Sequence, residues 1–206
     1  MTDRFVLDLL GVMAYGELSA FERLSSDARF SPSLRDRAVL GRMAVTEFGN
    51  FELVAERLSG LGQDVEAAML PFQPSIDAFH ERTRPADWYE SIMKAYVIDT
   101  ISADFYRSVS QFLDPATAQL VQQIQDSAPT SDGLQERLRQ MLDDDPRLAS
   151  RLALWGRRLV GEALSQAQRV SIEGAALPGA DAFRAELMAA LTRNHSLRMS
   201  QLGLTA

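Results

Sequence analysis

Residues 40–58 read LGRMAVTEFGNFELVAERL. Their apolar positions, Leu40, Met43, Ala44, Phe48, Phe51, Val54 and Leu58, recur every three or four residues, which is one face of an α-helix. Glu47 falls inside that apolar stripe and not opposite it. A carboxylate placed in a core costs several kcal/mol unless it is paired, protonated or bound to a metal. Glu47 is therefore the residue whose surroundings have to be explained.

Working outward, a preceding helix is expected from about Asp3 to Leu24, with Val6, Leu10, Met13, Glu17, Phe21 and Leu24 at helical spacing. It carries a second inward carboxylate, Glu17. Ser31-Pro32 reads as an N-cap with proline at the first helical position of the second helix, which stops at Gly60 and Gly62. Asp64 to Thr83 holds two short helical pieces around Pro71 and Pro74. Thr83-Arg84-Pro85 opens a third long helix ending near Leu113. Asp114-Pro115 and Asp145-Pro146 start a fourth helix and a long one from Arg147 to about Glu173, and a last helix spans about Ala180 to Leu202. No segment alternates apolar and polar residues between hairpin turns. Long helices with short joints predict an all-α bundle, and residues 1–206 show one composition regime, read as a single domain.

The chain has 206 residues, 46% of them apolar and 24% charged, ordinary values for a globular protein. Cysteine is absent, which excludes thiolate nucleophiles, zinc–thiolate sites, iron–sulfur clusters and disulfides. Asp8 and Glu17 interrupt the apolar start, so no signal peptide is expected. No run of about 20 apolar residues predicts a membrane span, and a cytoplasmic location follows as the expectation. Net charge is −7 and Lys94 is the single lysine. Arg147, Arg151, Arg157, Arg158 and Arg169 fall on one helix and read as a solvated face with scattered ion pairs. Gly156 and Gly161, inside the same helix, read as allowing close helix packing. Trp88, Trp155 and the phenylalanines at helical spacing read as core.

A weak internal echo adds to the carboxylate pattern. Glu17 and Glu22 lie five apart on the first helix, as Asp99 and Asp104 do on the third. Bundles made of two related helix pairs carry such echoes. Two inward carboxylates on neighbouring helices are explained either by arginine partners and water or by a shared metal.

The stretches AYGELSAFERL (14–24), TEFGNFE (46–52), DAFHERT (77–83), AYVIDTISADFY (95–106), LALWGRRLVGEALSQAQR (152–169) and LTRNHSLRM (191–199) resemble a bacterial ferritin-like family. That family is similar to the tRNA hydroxylase acting on methylthio-isopentenyl-adenosine. The resemblance implies a ferritin-like four-helix bundle with additional C-terminal helices. It also implies a non-haem di-iron centre that activates O₂ to hydroxylate an unactivated carbon. Carried over, Glu17 and Glu47 are the metal ligands of the first two helices, with Asp99 or Asp104 on the third. The family's Glu-x-x-His on the second helix reads Glu47-x-x-Asn50 here. The second such motif falls in QIQDSAPTSDG (123–133), where Asp126 or Ser127 would replace the carboxylate and Pro129 or Thr130 the histidine. A neutral amide is a weak substitute for imidazole on iron. Pro129 and Gly133 are helix breakers, and Asp126 lies on the polar side with Gln119, Gln122 and Gln123. The remaining histidines are assigned elsewhere: His80 to a capping or surface role, His195 to a solvated face.

Three functions follow as expectations. The leading one is a ferritin-like protein whose di-iron site is degenerate, with a non-catalytic binding or interaction role. The alternative is a tRNA-hydroxylase-like iron oxygenase retaining a partial carboxylate site of Glu17, Glu47 and Asp99 or Asp104, with Asn50. The third is an enzyme using the old cavity without metal, with Glu47 as base. The expected cofactor is none or a partly retained iron, against di-iron in the family. tRNA is a partner by resemblance alone, no membrane partner is expected, and spare apolar faces suit a homodimer.

Overall fold

Residues 40–58 lie within one uninterrupted helix, α2 (Leu34–Gly60), in a computed structural model that describes residues 4–127, 131–169 and 180–205. Before it comes α1 (Arg4–Asp27). After it come α3 (Val65–Met69), α4 (Gln73–Arg82), α5 (Trp88–Val109), α6 (Pro115–Ser127), α7 (Ser131–Asp144), α8 (Leu148–Arg169) and α9 (Ala180–Gln201). Among the described residues there is no strand, and no helix is long and apolar enough to cross a membrane. The all-α expectation holds.

Two helix starts differ from the sequence expectation because a better cap lies downstream. Ser33 Oγ accepts from the Asp36 N–H at 3.1 Å and donates to Asp36 Oδ2 at 2.8 Å, so α2 begins at Leu34 and not at Pro32. Asp87 Oδ1 accepts from the Glu90 N–H at 3.0 Å while Glu90 Oε2 accepts from the Ala86 N–H at 2.8 Å. That reciprocal capping box moves the start of α5 past Thr83-Arg84-Pro85 to Trp88. Asp114 caps α6 as expected, its Oδ1 accepting from the Ala116 and Thr117 N–H groups. Gly133 does not break a helix. It sits in the first turn of α7, an element that sequence reading missed and whose Leu134, Leu138, Met141 and Leu142 are buried. Pro129, Thr130 and Glu173 lie outside the described residues.

Packing divides the molecule around α5. On one side α1 lies along α2, and Phe5, Leu9, Leu10 and Met13 meet Val54, Leu58, Val121 and Ile124 of α6. On the other side α5 contributes Trp88, Ile92, Met93 and Tyr96 to a core with Leu138 of α7, Leu152 and Leu159 of α8, and Leu191 and Met199 of α9. Each fully buried leucine contributes about 2 kcal/mol, so both cores hold α5 rigidly. Its Ser91, Lys94, Asp99, Ser102 and Tyr106 face the space left between α1, α2, α4 and α6.

The arginines of α8 are tethered one by one. Arg151 pairs with Asp87 and lies over the Tyr89 ring, Arg157 donates to the Thr205 carbonyl, and Arg158 donates to the Arg82 carbonyl. Arg147, just ahead of the helix, pairs with Asp145. The Arg169 side chain lies outside the described residues.

Glycines separate into two kinds. Gly156 permits close packing as expected, since a Cβ there would lie 2.6 Å from Met199 Cε and 2.9 Å from Met93 Cε. Gly161 does not, having nothing within 4 Å. The close approach that sequence reading missed is Gly11, where a Cβ would run into the carbonyl oxygen of Ala68 at the α1–α3 contact. A backbone carbonyl gives way less readily than a methionine tip. Gly11→Ala is therefore expected to cost about 1–3 kcal/mol, whereas exposed Gly161→Ala should gain about 0.5–1 kcal/mol. Urea titrations of the two variants should shift the midpoint in opposite directions; a shared direction would sink this assignment.

A two-ended polar cavity between the helices

The space beside α5 is a cavity of about 660 Å³ lined from α1, α2, α4, α5 and α6. Its polar residues collect at two ends, one acidic and one basic.

The acidic end holds Glu17 of α1, Glu47 and Asn50 of α2, and Asp99 and Tyr106 of α5. Glu17 and Asn50 are 8% and 4% exposed. Asn50 Nδ2 donates to Glu17 Oε2 at 3.4 Å, and the carboxyls of Glu17 and Glu47 are in hydrogen-bond contact. Burial, then that contact and the negative charge of Glu47, push the Glu17 carboxyl well above its ordinary value; Asn50 opposes the rise. Burial and the charge of Glu47 push Asp99 up to about 7, with Arg198 opposing. The Tyr106 phenol is pushed up by burial and by both glutamates.

Asp104 is not part of this group. Helical residues turn by about 100° each, so Asp99 and Asp104, five apart, point roughly 140° away from each other. Asp104 faces α9, where Arg198 grips it through both nitrogens at 2.7 and 2.9 Å and Asn194 donates at 3.0 Å. Burial pushes its carboxyl up, but the Arg198 and Asn194 hydrogen bonds outweigh burial and hold it below its ordinary value. The same geometry separates Glu17, facing inward, from exposed Glu22. In each acidic pair the first member faces the cavity.

The basic end was not foreseen. His80, assigned to a cap or the surface, is 8% exposed. Lys94 is 7% exposed and its ammonium donates to His80 Nδ1 at 3.2 Å. With Nδ1 accepting, the proton sits on Nε2, which donates to Ser19 Oγ at 3.2 Å, and Ser19 donates to the Gly16 carbonyl at 3.0 Å. Burial first, then the charges of Lys94 and Arg23, push His80 down to about 3, so it stays neutral. Burial likewise pushes Lys94 down to about 8. Arg23 Nε is buried without a hydrogen-bond partner. The available signal was that His80 directly follows the apolar Phe79 and that the chain's single lysine falls among Ile92, Met93, Tyr96 and Val97. His195 is also buried, at 3% exposure, and not solvated; burial and Arg198 push it down to about 4.

On the fourth-helix side, Gln122, Gln125 and Asp126 line the rim. Asp126 is exposed and accepts from Gln122 Nε2 at 2.8 Å. The Ser127 side chain and Pro129 and Thr130 lie outside the described residues. The donor set around Glu17 is thus three carboxylates and an amide that turns its nitrogen toward one of them. Of the two histidines, His80 stands at the basic end and His195 does not line the cavity. This set does not fit a two-metal centre of four carboxylates and two imidazoles.

A family model described as the ferritin-like domain of actinomycetes matches residues 1–180. Among solved structures, the fold is shared with a Bacillus halodurans protein provisionally described as a class I ribonucleotide reductase. It matches at a TM-score of 0.71 and 12% identity, over 100% of this chain and 82% of that one. At that identity the likeness shows the fold alone. No curated protein matches.

Proposed function

The chain belongs to the ferritin-like domain family of actinomycetes, and from that premise we propose that it is a binding protein that keeps the family's cavity with a degenerate metal site. The observation that carries this reading is the contact among Glu17, Glu47 and Asn50. Burial, with the neighbouring Glu47 carboxyl, raises the Glu17 carboxyl well above its ordinary value, while Asn50 opposes the rise. Asn50 donates to Glu17, the opposite of what a metal ligand does. The resemblance to the tRNA hydroxylase puts imidazole at this position, so the change is local and chemical. Without a second histidine-bearing motif, the residues left support ligand recognition better than O₂ activation.

A second reading is favoured by one observation: Glu17, Glu47 and Asp99 line the same end of the cavity. Three hard oxygen donors suit a single divalent iron or manganese. Under this reading the chain is an oxygenase similar to the tRNA hydroxylase, and the arginines of α8 would meet the nucleic-acid backbone.

Metal analysis of protein purified from iron-supplemented cells separates the two. The binding-protein reading expects well under one iron or manganese per chain, unchanged in Glu47→Ala. Stoichiometric iron lost in Glu47→Ala overturns it and establishes the oxygenase reading. Salt-sensitive tRNA binding would then be the next observation to seek.

A further inference from the structure

The basic end of the cavity has charge without a counter-ion. Lys94 makes its hydrogen bond to a neutral imidazole and lies 5.6 Å from the centroid of the Phe79 ring. Arg23 turns a buried Nε toward no acceptor. Among the described residues no carboxylate is paired with either cation; Asp27 acts on both, and Glu81 on Lys94, at longer range. A buried charge lacking a close partner costs several kcal/mol, and the Ser19–His80 relay spends further polar groups on holding Lys94 in place.

Both long helices separate this end from the acidic end by a similar span. Arg23 lies six residues beyond Glu17 on α1, about 9 Å along the axis, and Lys94 five residues before Asp99 on α5, about 7.5 Å. Between the ends the wall includes Ala20 of α1, Met43 of α2, and Ala95 and Ile98 of α5.

We propose that Lys94 and Arg23 form the binding site for the carboxylate of a small apolar monoacid, whose hydrocarbon lies along that wall toward Glu17 and Asp99. Because Asp27 and Glu81 already act on Lys94 at longer range, a monoanion fits better than a phosphate dianion, which would bring in a second negative charge. Charge-assisted hydrogen bonds from both cations would fill the open valence of Arg23 Nε. The apolar wall would take the chain. The inference rests on the reading that the cavity serves a ligand, while the carboxylate site stands on residues separate from the metal positions.

The probe is hexanoate, titrated calorimetrically into the full-length protein beside hexanol and hexyl phosphate. Hexanoate should bind saturably and at least about tenfold tighter than hexanol, with hexyl phosphate the weaker of the two anions. Lys94→Met should remove the preference over hexanol, Arg23→Gln should reduce it, and Lys94→Arg should keep most of it. Thermal melts of each variant show that the fold persists. Equal binding of hexanoate and hexanol, no saturable hexanoate binding, a preference intact in Lys94→Met, or tighter hexyl phosphate each overturns the proposal. The metal analysis is independent: stoichiometric iron together with a Lys94-dependent hexanoate preference would remove the binding-protein reading and leave this site standing.

Discussion

Asp104→Ala is expected to cost about 3–5 kcal/mol, because it leaves Arg198 charged and half-buried with its acceptor gone. For a chain of this size that is a fall in melting temperature of roughly 10 °C. Asp104 is 4% exposed and takes three hydrogen bonds from α9, two from Arg198 and one from Asn194. It is the polar tie between α5 and α9, where the other contacts are apolar. Its carboxyl is held below the ordinary value, so its stabilising part is present above the unfolded pKa and is lost as pH falls through the lower native one. Wild type and Asp104→Ala should therefore converge in stability toward strongly acidic pH. A loss of less than about 1 kcal/mol, in the range of an exposed pair, would mean that the tie contributes little.

Lys94→Met is expected to act in the opposite direction and to stabilise the protein by about 2 kcal/mol at neutral pH. Burial holds Lys94 at about 8 against an ordinary 10.5, a displacement worth about 3 kcal/mol. The lost hydrogen bond to His80 returns about 1 kcal/mol of that. The groups facing Lys94 are Arg23 and Asp27 of α1 and His80 and Glu81 of α4. Arg23 adds to the penalty, Asp27 and Glu81 relieve it, and His80 is neutral. Between pH 8 and 10.5 the unfolded chain keeps a proton that the native lysine has released, so wild-type stability rises with pH across that window. The gain from Lys94→Met should be full below pH 8 and fade by about pH 10.5. Denaturation curves at a series of pH values check both. A destabilised variant would show that the ammonium is balanced within the protein, and would weaken the case for a ligand carboxylate. A lysine that costs stability and yet is held by a three-residue relay has the profile of a functional group.

Much of the fold was legible because helical periodicity is local. The stripe around Glu47, the inward place of Glu17 and the Asp114 cap of α6 each depend on neighbours within a few residues. Helix starts failed where two candidate caps competed within a few positions, as at Ser31 against Ser33 and at Thr83 against Asp87. At each winner the residue three positions on adds a second hydrogen bond, Asp36 accepting from the Ser33 hydroxyl and Glu90 from the Ala86 N–H. The acidic end was half legible. A five-residue spacing rules out a shared direction for Asp99 and Asp104, but not which of them faces inward.

By itself, the sequence determined an all-α chain, two inward glutamates on adjoining helices, and Asn50 where the resembled family has histidine. Tertiary structure decided what those residues meet. Asp99 joins Glu17 and Glu47, while Asp104 is taken by Arg198, 94 residues further along the chain. Lys94 meets His80, which in turn meets Ser19, 61 residues away. Periodicity states which face of a helix is buried. It does not state which other helix will cover that face, and the charge of a buried group is set by what covers it.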